Sequence, residues 1–302
     1  YKRQATQWVG MNPDLFASIN TTAFAAITAS QFKSVTAGQL GVMTEAQAEV
    51  MTVDHIAGLT ETQANALTAE QLVKFNTQAK VEAFKPALLA TLDGETQIAA
   101  FTPDQVAYFT KQQMTALTGS QVSYLSAAQI GKLSTDQISA ISLSAITSLS
   151  EEQIQAFNPA TQISGLSETQ IGYFTAAQLK AFSNAQVAAI EVNDIDNMSE
   201  EQIKALKTEQ VQALTTAQFV ALTDAQITAM TDEQVANIEN KDLAVLDASQ
   251  LSALSDTQVQ HLTDLQVKAI TTAQIQLLDQ GFIQSMGSTQ IQALSATQLK
   301  AL

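Results

Sequence analysis

The chain contains no cysteine in its 302 residues, which excludes disulfides, thiolate nucleophiles and cysteine-ligated metal sites. Proline occurs four times and tryptophan once, and aromatics make up only 6%. Charge is sparse and one-sided: 14 basic against 29 acidic residues, net −15, with Arg3 the single arginine. That balance argues against a phosphate-binding surface, so nucleic acid is not an expected partner. No apolar run approaches the roughly 18 residues that a membrane-spanning helix needs, so membrane insertion is not expected either. The opening YKRQATQWVGMNP has basic residues but no apolar stretch behind them, and does not read as a signal peptide. The abrupt start and the end on Leu302 read as a piece of something longer.

What is present is a repeat. Ala, Thr, Ser, Gln, Leu and Ile dominate, and the pattern L-[T/S]-x-x-Q-[I/V/L]-x-A recurs every eight residues, as in LTTAQFVA from Leu214 and LTDAQITA from Leu222. Position 1 anchors run from Met11 to Leu302. The 291 residues between them divide into 33 repeats of eight and three of nine, beginning at Phe75, Leu92 and Phe157. The expected organisation is a lead-in over 1–10 and one continuous array over 11–302.

Each repeat reads as a helix start. Position 2 is Ser, Thr, Asp or Asn in 31 of 36 repeats, the residues that cap helix N-termini. Gln three residues later completes the S/T-x-x-Q capping box, and the apolar residues at positions 1 and 6 form the hydrophobic staple. Pro13, Pro86, Pro103 and Pro159 all fall at position 3, the first helical residue, where proline is tolerated. Acids crowd positions 3 and 4, and lysines prefer 7 and 8, matching the helix dipole within single repeats.

One long helix does not fit. Eight residues overshoot two turns by about 80°, so the apolar stripe would wind round the rod, and a coiled coil needs a period near 3.5 residues. A β-solenoid is the rival, although Ala and Gln are poor strand formers and capping boxes have no role there. The reading is therefore an all-α, elongated α-solenoid of very short capped helices, one per repeat. Helices this short hold only by stacking on neighbours. Positions 1, 6 and 8 are expected to form its apolar columns, with a wider core where Phe recurs at position 1 between Phe75 and Phe182. Ala145, Asp194 and Asp242 replace Gln at intervals of six repeats. Coils of two, three or six repeats would align them, and three is favoured.

Candidate chemistry is thin. His55 sits at a Gln position and His261 at an Ala position, far apart in the array, so both read as structural. Asn193-Asp194-Ile195-Asp196-Asn197 offers oxygen ligands, with Glu200 and Glu201 following. Asp194 and Asp196 are a weak calcium candidate that lacks the glycine and spacing of an EF-hand loop. Tyr108, Tyr124 and Tyr173 replace Ala at position 8 and mark a possible aromatic contact patch. Gln itself reads first as a capping-box residue, with a ladder of glutamines bonding successive coils as the sharper alternative. No catalytic residue and no cofactor is expected.

Phe101-Thr102-Pro103-Asp104-Gln105-Val106-Ala107 resembles the first helix of TAL-effector DNA-binding repeats. The likeness covers about one repeat. Those repeats are longer and carry a base-reading loop and basic residues that this chain lacks, so DNA binding is not carried over. The array as a whole resembles octapeptide-repeat regions of large bacterial cell-surface and secreted proteins, including adhesins. That resemblance implies extracellular presentation as a spacer, stalk or filament segment, with self-association or other surface proteins as partners. The alternative is an α-solenoid scaffold that binds a protein or peptide on its repeat surface.

Overall fold

The computed structural model describes residues 7–302, so Arg3 and most of the expected 1–10 lead-in lie outside the described residues. The described residues contain no strand, and each of the 36 repeats forms one helical element of four to six residues. Every third element packs together. In the first compact unit, Tyr1–Phe157, the helix Pro13–Ala17 lies against Ala37–Gly41; in the second, Asn158–Leu302, Glu200–Ala205 lies against Asp224–Ala229. Three repeats, about 24 residues, therefore complete one coil in each unit. The chain is an all-α solenoid.

Short helices need frequent ends, and the way they end explains the scarcity of glycine. No described residue has positive φ. The helix Asp224–Ala229 begins after Thr223 (φ −76°, ψ 159°) and ends at Met230 (φ −58°, ψ 147°), so two extended residues separate consecutive helices. The anchor N–H closes the last turn on the position 6 carbonyl, as Met230 does on Ile227 at 3.2 Å. A left-handed glycine cap is not needed.

Anchors and position 6 residues are buried from Ile27 to Ile275, as expected, whereas near the end of the second unit the position 6 residues Ile291 and Leu299 are exposed. Position 8 is not: Ala205, Ala213 and Ala221 are only half-buried at the rim. The third buried column is position 5, the glutamine. Aromatics extend the core by edge-to-face contacts, Trp8–Phe16–Phe24–Phe32 near the start of the first unit and Phe84–Phe101–Phe109 later.

The nine-residue repeats absorb their extra residue locally. Two do so with π-helical turns, Gly94–Ile98 and Pro159–Ile163, closed by Ile98 N–H to Asp93 at 2.9 Å and Ile163 N–H to Asn158 at 3.1 Å. The third moves its helix start to Thr77, ahead of the helix Gln78–Glu82. The two compact units meet in sequence inside the repeat beginning at Phe157.

Candidate functional site

The most repeated polar group is the position 5 amide, and both of its ends are engaged. In the repeat Leu222–Ala229, Thr223 N–H donates to Gln226 Oε1 at 2.8 Å, and Gln226 N–H donates to Thr223 Oγ1 at 3.2 Å. That is the expected capping box. The amide's other end donates to the coil beneath: Gln226 Nε2 reaches the carbonyls of Ile195 and Met198, both at 2.7 Å. These acceptors lie 31 and 28 residues earlier. They are the position 6 residue and the following anchor, where one helix has just ended. A helix leaves orphan N–H groups at its start and orphan carbonyls at its end. One glutamine side chain satisfies the first in its own helix and the second in the helix below.

The pattern runs in the first unit from Gln39, which donates to Trp8 and Met11, to Gln153, which donates to Val122 and Leu125, and in the second from Gln202, which donates to Ile171 and Phe174, to Gln298, which donates to Val267 and Ile270. Sequence reasoning posed the capping box and the ladder as alternatives; the structure contains both. The signal available in sequence was the amide itself. A capping box accepts Glu as readily as Gln, yet no repeat has Glu at position 5. A carboxylate caps but cannot donate to carbonyls.

Substitutions at this position follow the same logic. His55 is buried; its Nδ1 accepts from Thr52 N–H at 3.3 Å and its Nε2 lies 2.6 Å from the Ile27 carbonyl. With the proton assigned to Nε2 from that network, the imidazole reproduces the glutamine. It also stacks on Phe32 at 4.5 Å. In the repeat whose helix start has shifted, Lys80 fills the place, donating from Nζ to the Glu49 carbonyl at 2.5 Å. Burial holds its ammonium below the usual lysine range. Nothing in the octapeptide pattern marked Lys80, because the extra residue displaces it from the register.

Ala145, Asp194 and Asp242 do not supply an amide. All three are buried. Asp194 and Asp242 each leave Oδ2 buried without a partner. Burial first, then Glu191, Glu168 and Asp196, push the Asp194 carboxyl up to about 6. Burial also raises Asp242, opposed by the hydrogen bond from Thr216.

The remaining candidates are dispersed. Asp194 is buried, whereas Asp196 is exposed and accepts from Asn197 Nδ2 at 2.9 Å. Glu200 and Glu201 are exposed on the next helix. Among the described residues, no three His, Cys, Asp or Glu side chains converge as a metal-binding group. His261 is exposed, 2.7 Å from the Thr257 carbonyl and 3.6 Å from Asp232. In the first unit Tyr108 and Tyr124 lie two repeats apart and so on different faces of the coil; Tyr173 belongs to the second unit. Tyr124 covers Gly94, where an added Cβ would lie 2.7 Å from the ring.

Residues 187–224 and 235–272 match the ALTTAQ repeat family. The hexapeptide stands literally at Ala213-Leu214-Thr215-Thr216-Ala217-Gln218. No curated protein matches the chain. Among solved structures, the leucine-rich repeat-containing protein LegL7 from Legionella pneumophila aligns over 92% of this chain and 86% of its own, at 13% identity and a TM-score of 0.21. At that score the likeness carries no argument.

Proposed function

We propose that the chain is a structural repeat segment, a rod-like spacer or stalk in a secreted or cell-surface bacterial protein. The observation that supports this is the ladder. The polar group repeated within each unit is spent on closing helices and joining coils, and each coil is stabilised by its immediate neighbours. Such a build extends by adding copies and needs no singular site, so we read the chain as non-catalytic. The placement at a bacterial surface, and partners drawn from copies of itself or other surface proteins, rest on the resemblance of the octapeptide array. The acidic balance keeps nucleic acid outside this reading, and among the described residues no helix is long and apolar enough to cross a membrane.

Small-angle scattering tests the spacer. In a rod-like spacer, 36 repeats at three per coil would make about 12 coils and, at helix spacings of about 8–10 Å, would extend on the order of 100–120 Å. The expected radius of gyration of the monomer is at least about 32 Å, against about 19 Å for a compact domain of this length. A value near the compact limit rejects the spacer.

One observation favours a scaffold instead. Between residues 158 and 276, the exposed large apolar side chains are Tyr173, Val192, Val220, Val245 and Leu265, and they fall on every third repeat, hence on one face of the second unit. Specific capture of a protein that Val220→Asp and Val245→Asp abolish would decide for that reading.

A further inference from the structure

We propose that Asp242 closes its coil as a neutral acid: it keeps its proton in the folded chain and donates it through Oδ2 to the coil beneath, where other repeats use an amide. Register defines the acceptors this position must meet. Gln234 donates to Ile203 and Leu206 at 2.9 and 2.7 Å, and Gln250 to Phe219 and Leu222 at 3.0 and 2.7 Å. The equivalent acceptors beneath Asp242 are the carbonyls of Val211 and Leu214. The first already receives the Leu214 N–H. The second has no described donor.

The carboxyl group faces this place. Thr216, two residues beyond Leu214 in the coil beneath, donates from Oγ1 to Asp242 Oδ1 at 2.7 Å. Oδ2 is left without a partner in a residue that is 0% exposed. A buried, unpartnered carboxylate oxygen has no donor to offset its desolvation, whereas a carboxylic acid can donate to a neighbouring carbonyl. The surrounding charges do not rescue the ionised form. The helix beneath, Thr216–Ala221, has no charged side chain, and the helix above, Asp264–Ala269, carries exposed Asp264 and Lys268. On its own helix, Lys241 favours the ionised form but is itself paired with Glu239 at 2.6 Å, whose charge opposes it, and burial outweighs both. Burial accordingly raises the carboxyl above its ordinary range. A carboxyl whose folded value is raised contributes stability that is complete below the unfolded value, about 4, and is lost as pH rises through the folded value. Mild acid should tighten this coil.

The test uses the full chain carrying Asp194→Asn, which removes the other buried carboxyl with an unpartnered oxygen. Melting temperatures are compared at pH 5.0 and 7.5 with Asp242 present and with Asp242→Asn. With Asp242 present, the melt should be higher at pH 5.0 by about 2 °C or more, and Asp242→Asn should remove that difference. An unchanged difference in Asp242→Asn overturns the proposal. Calcium that raises the pH 7.5 melt only when Asp242 is present also overturns it, because the position then holds a cation rather than a proton. Carbon-13 labelling of aspartate carboxyls gives a second readout on the chain with Asp242 intact. Titration of its signal above the ordinary carboxylate range supports the proposal, and titration within that range overturns it.

Discussion

At the residue scale, position 5 carries more of the fold than its place in a capping motif suggests. Gln226 accepts one N–H and donates to two carbonyls, all buried or half-buried. Gln226→Ala leaves those groups unpaired, and each unsatisfied buried group costs about 1–3 kcal/mol before relaxation. We expect a loss of about 2–4 kcal/mol by denaturant unfolding, larger than the roughly 1 kcal/mol of a capping change alone. Gln226→Glu keeps the cap but turns an acceptor toward two carbonyls, and should cost at least as much as alanine. A glutamate variant of near wild-type stability would show that the cap alone matters. Asp194 makes the residue scale visible to pH. Its carboxyl is raised to about 6, first by burial and then by Glu191, Glu168 and Asp196. Its stabilising contribution is complete below about 3.8 and declines as pH rises through about 6. Melting curves between pH 4.5 and 7 should fall with rising pH, and Asp194→Asn should flatten that slope. The carboxyls of Asp93 and Glu70, lowered by hydrogen bonds from Thr96 and at Glu70 and Thr68, act below this window.

At the scale of the element, helix length is set by where donors and acceptors must fall rather than by propensity. A helix of four to six residues has no independent stability. It persists because its start is capped from within and its end from the coil above. The π-helical turn Gly94–Ile98 shows how firmly that requirement governs. An extra residue is accommodated by a wider turn, and Gln97 still accepts from Asp93 N–H at 2.9 Å and donates to Leu67 at 2.8 Å. Deleting Glu95 restores an eight-residue repeat, LDGTQIAA, with the glutamine at position 5. We expect the π turn to become an ordinary α turn with a stability change within about 1 kcal/mol, since no buried hydrogen bond is lost. A loss above about 3 kcal/mol in chemical denaturation would show that the extra residue has a packing role of its own.

For the whole molecule, nearest-neighbour construction implies modular stability. Deleting residues 214–237, three consecutive repeats of the second unit, removes one full coil and places Ile238 where Leu214 stood. Each remaining glutamine then meets equivalent carbonyls in the coil beneath. Circular dichroism per residue should be unchanged, and cooperative unfolding should persist with a modest drop in midpoint. Loss of helical signal would mean that the coils depend on contacts beyond their neighbours.

The octapeptide grammar by itself determined the all-α class, one helix per repeat, the caps, the N1 prolines, and burial at positions 1 and 6. These follow from interactions within about eight residues, so a local pattern records them. Three repeats per coil was hinted at by Ala145, Asp194 and Asp242 and decided by the hydrogen bonds 28 and 31 residues apart. Tertiary packing alone replaced the expected column at position 8 with the buried glutamines. It also placed Lys80 in a missing glutamine's role and gave His55 both ends of an amide. The reason is physical. A side chain's second hydrogen-bond partner lies on another coil, and its identity depends on how many residues make a turn of the solenoid, which no single repeat contains.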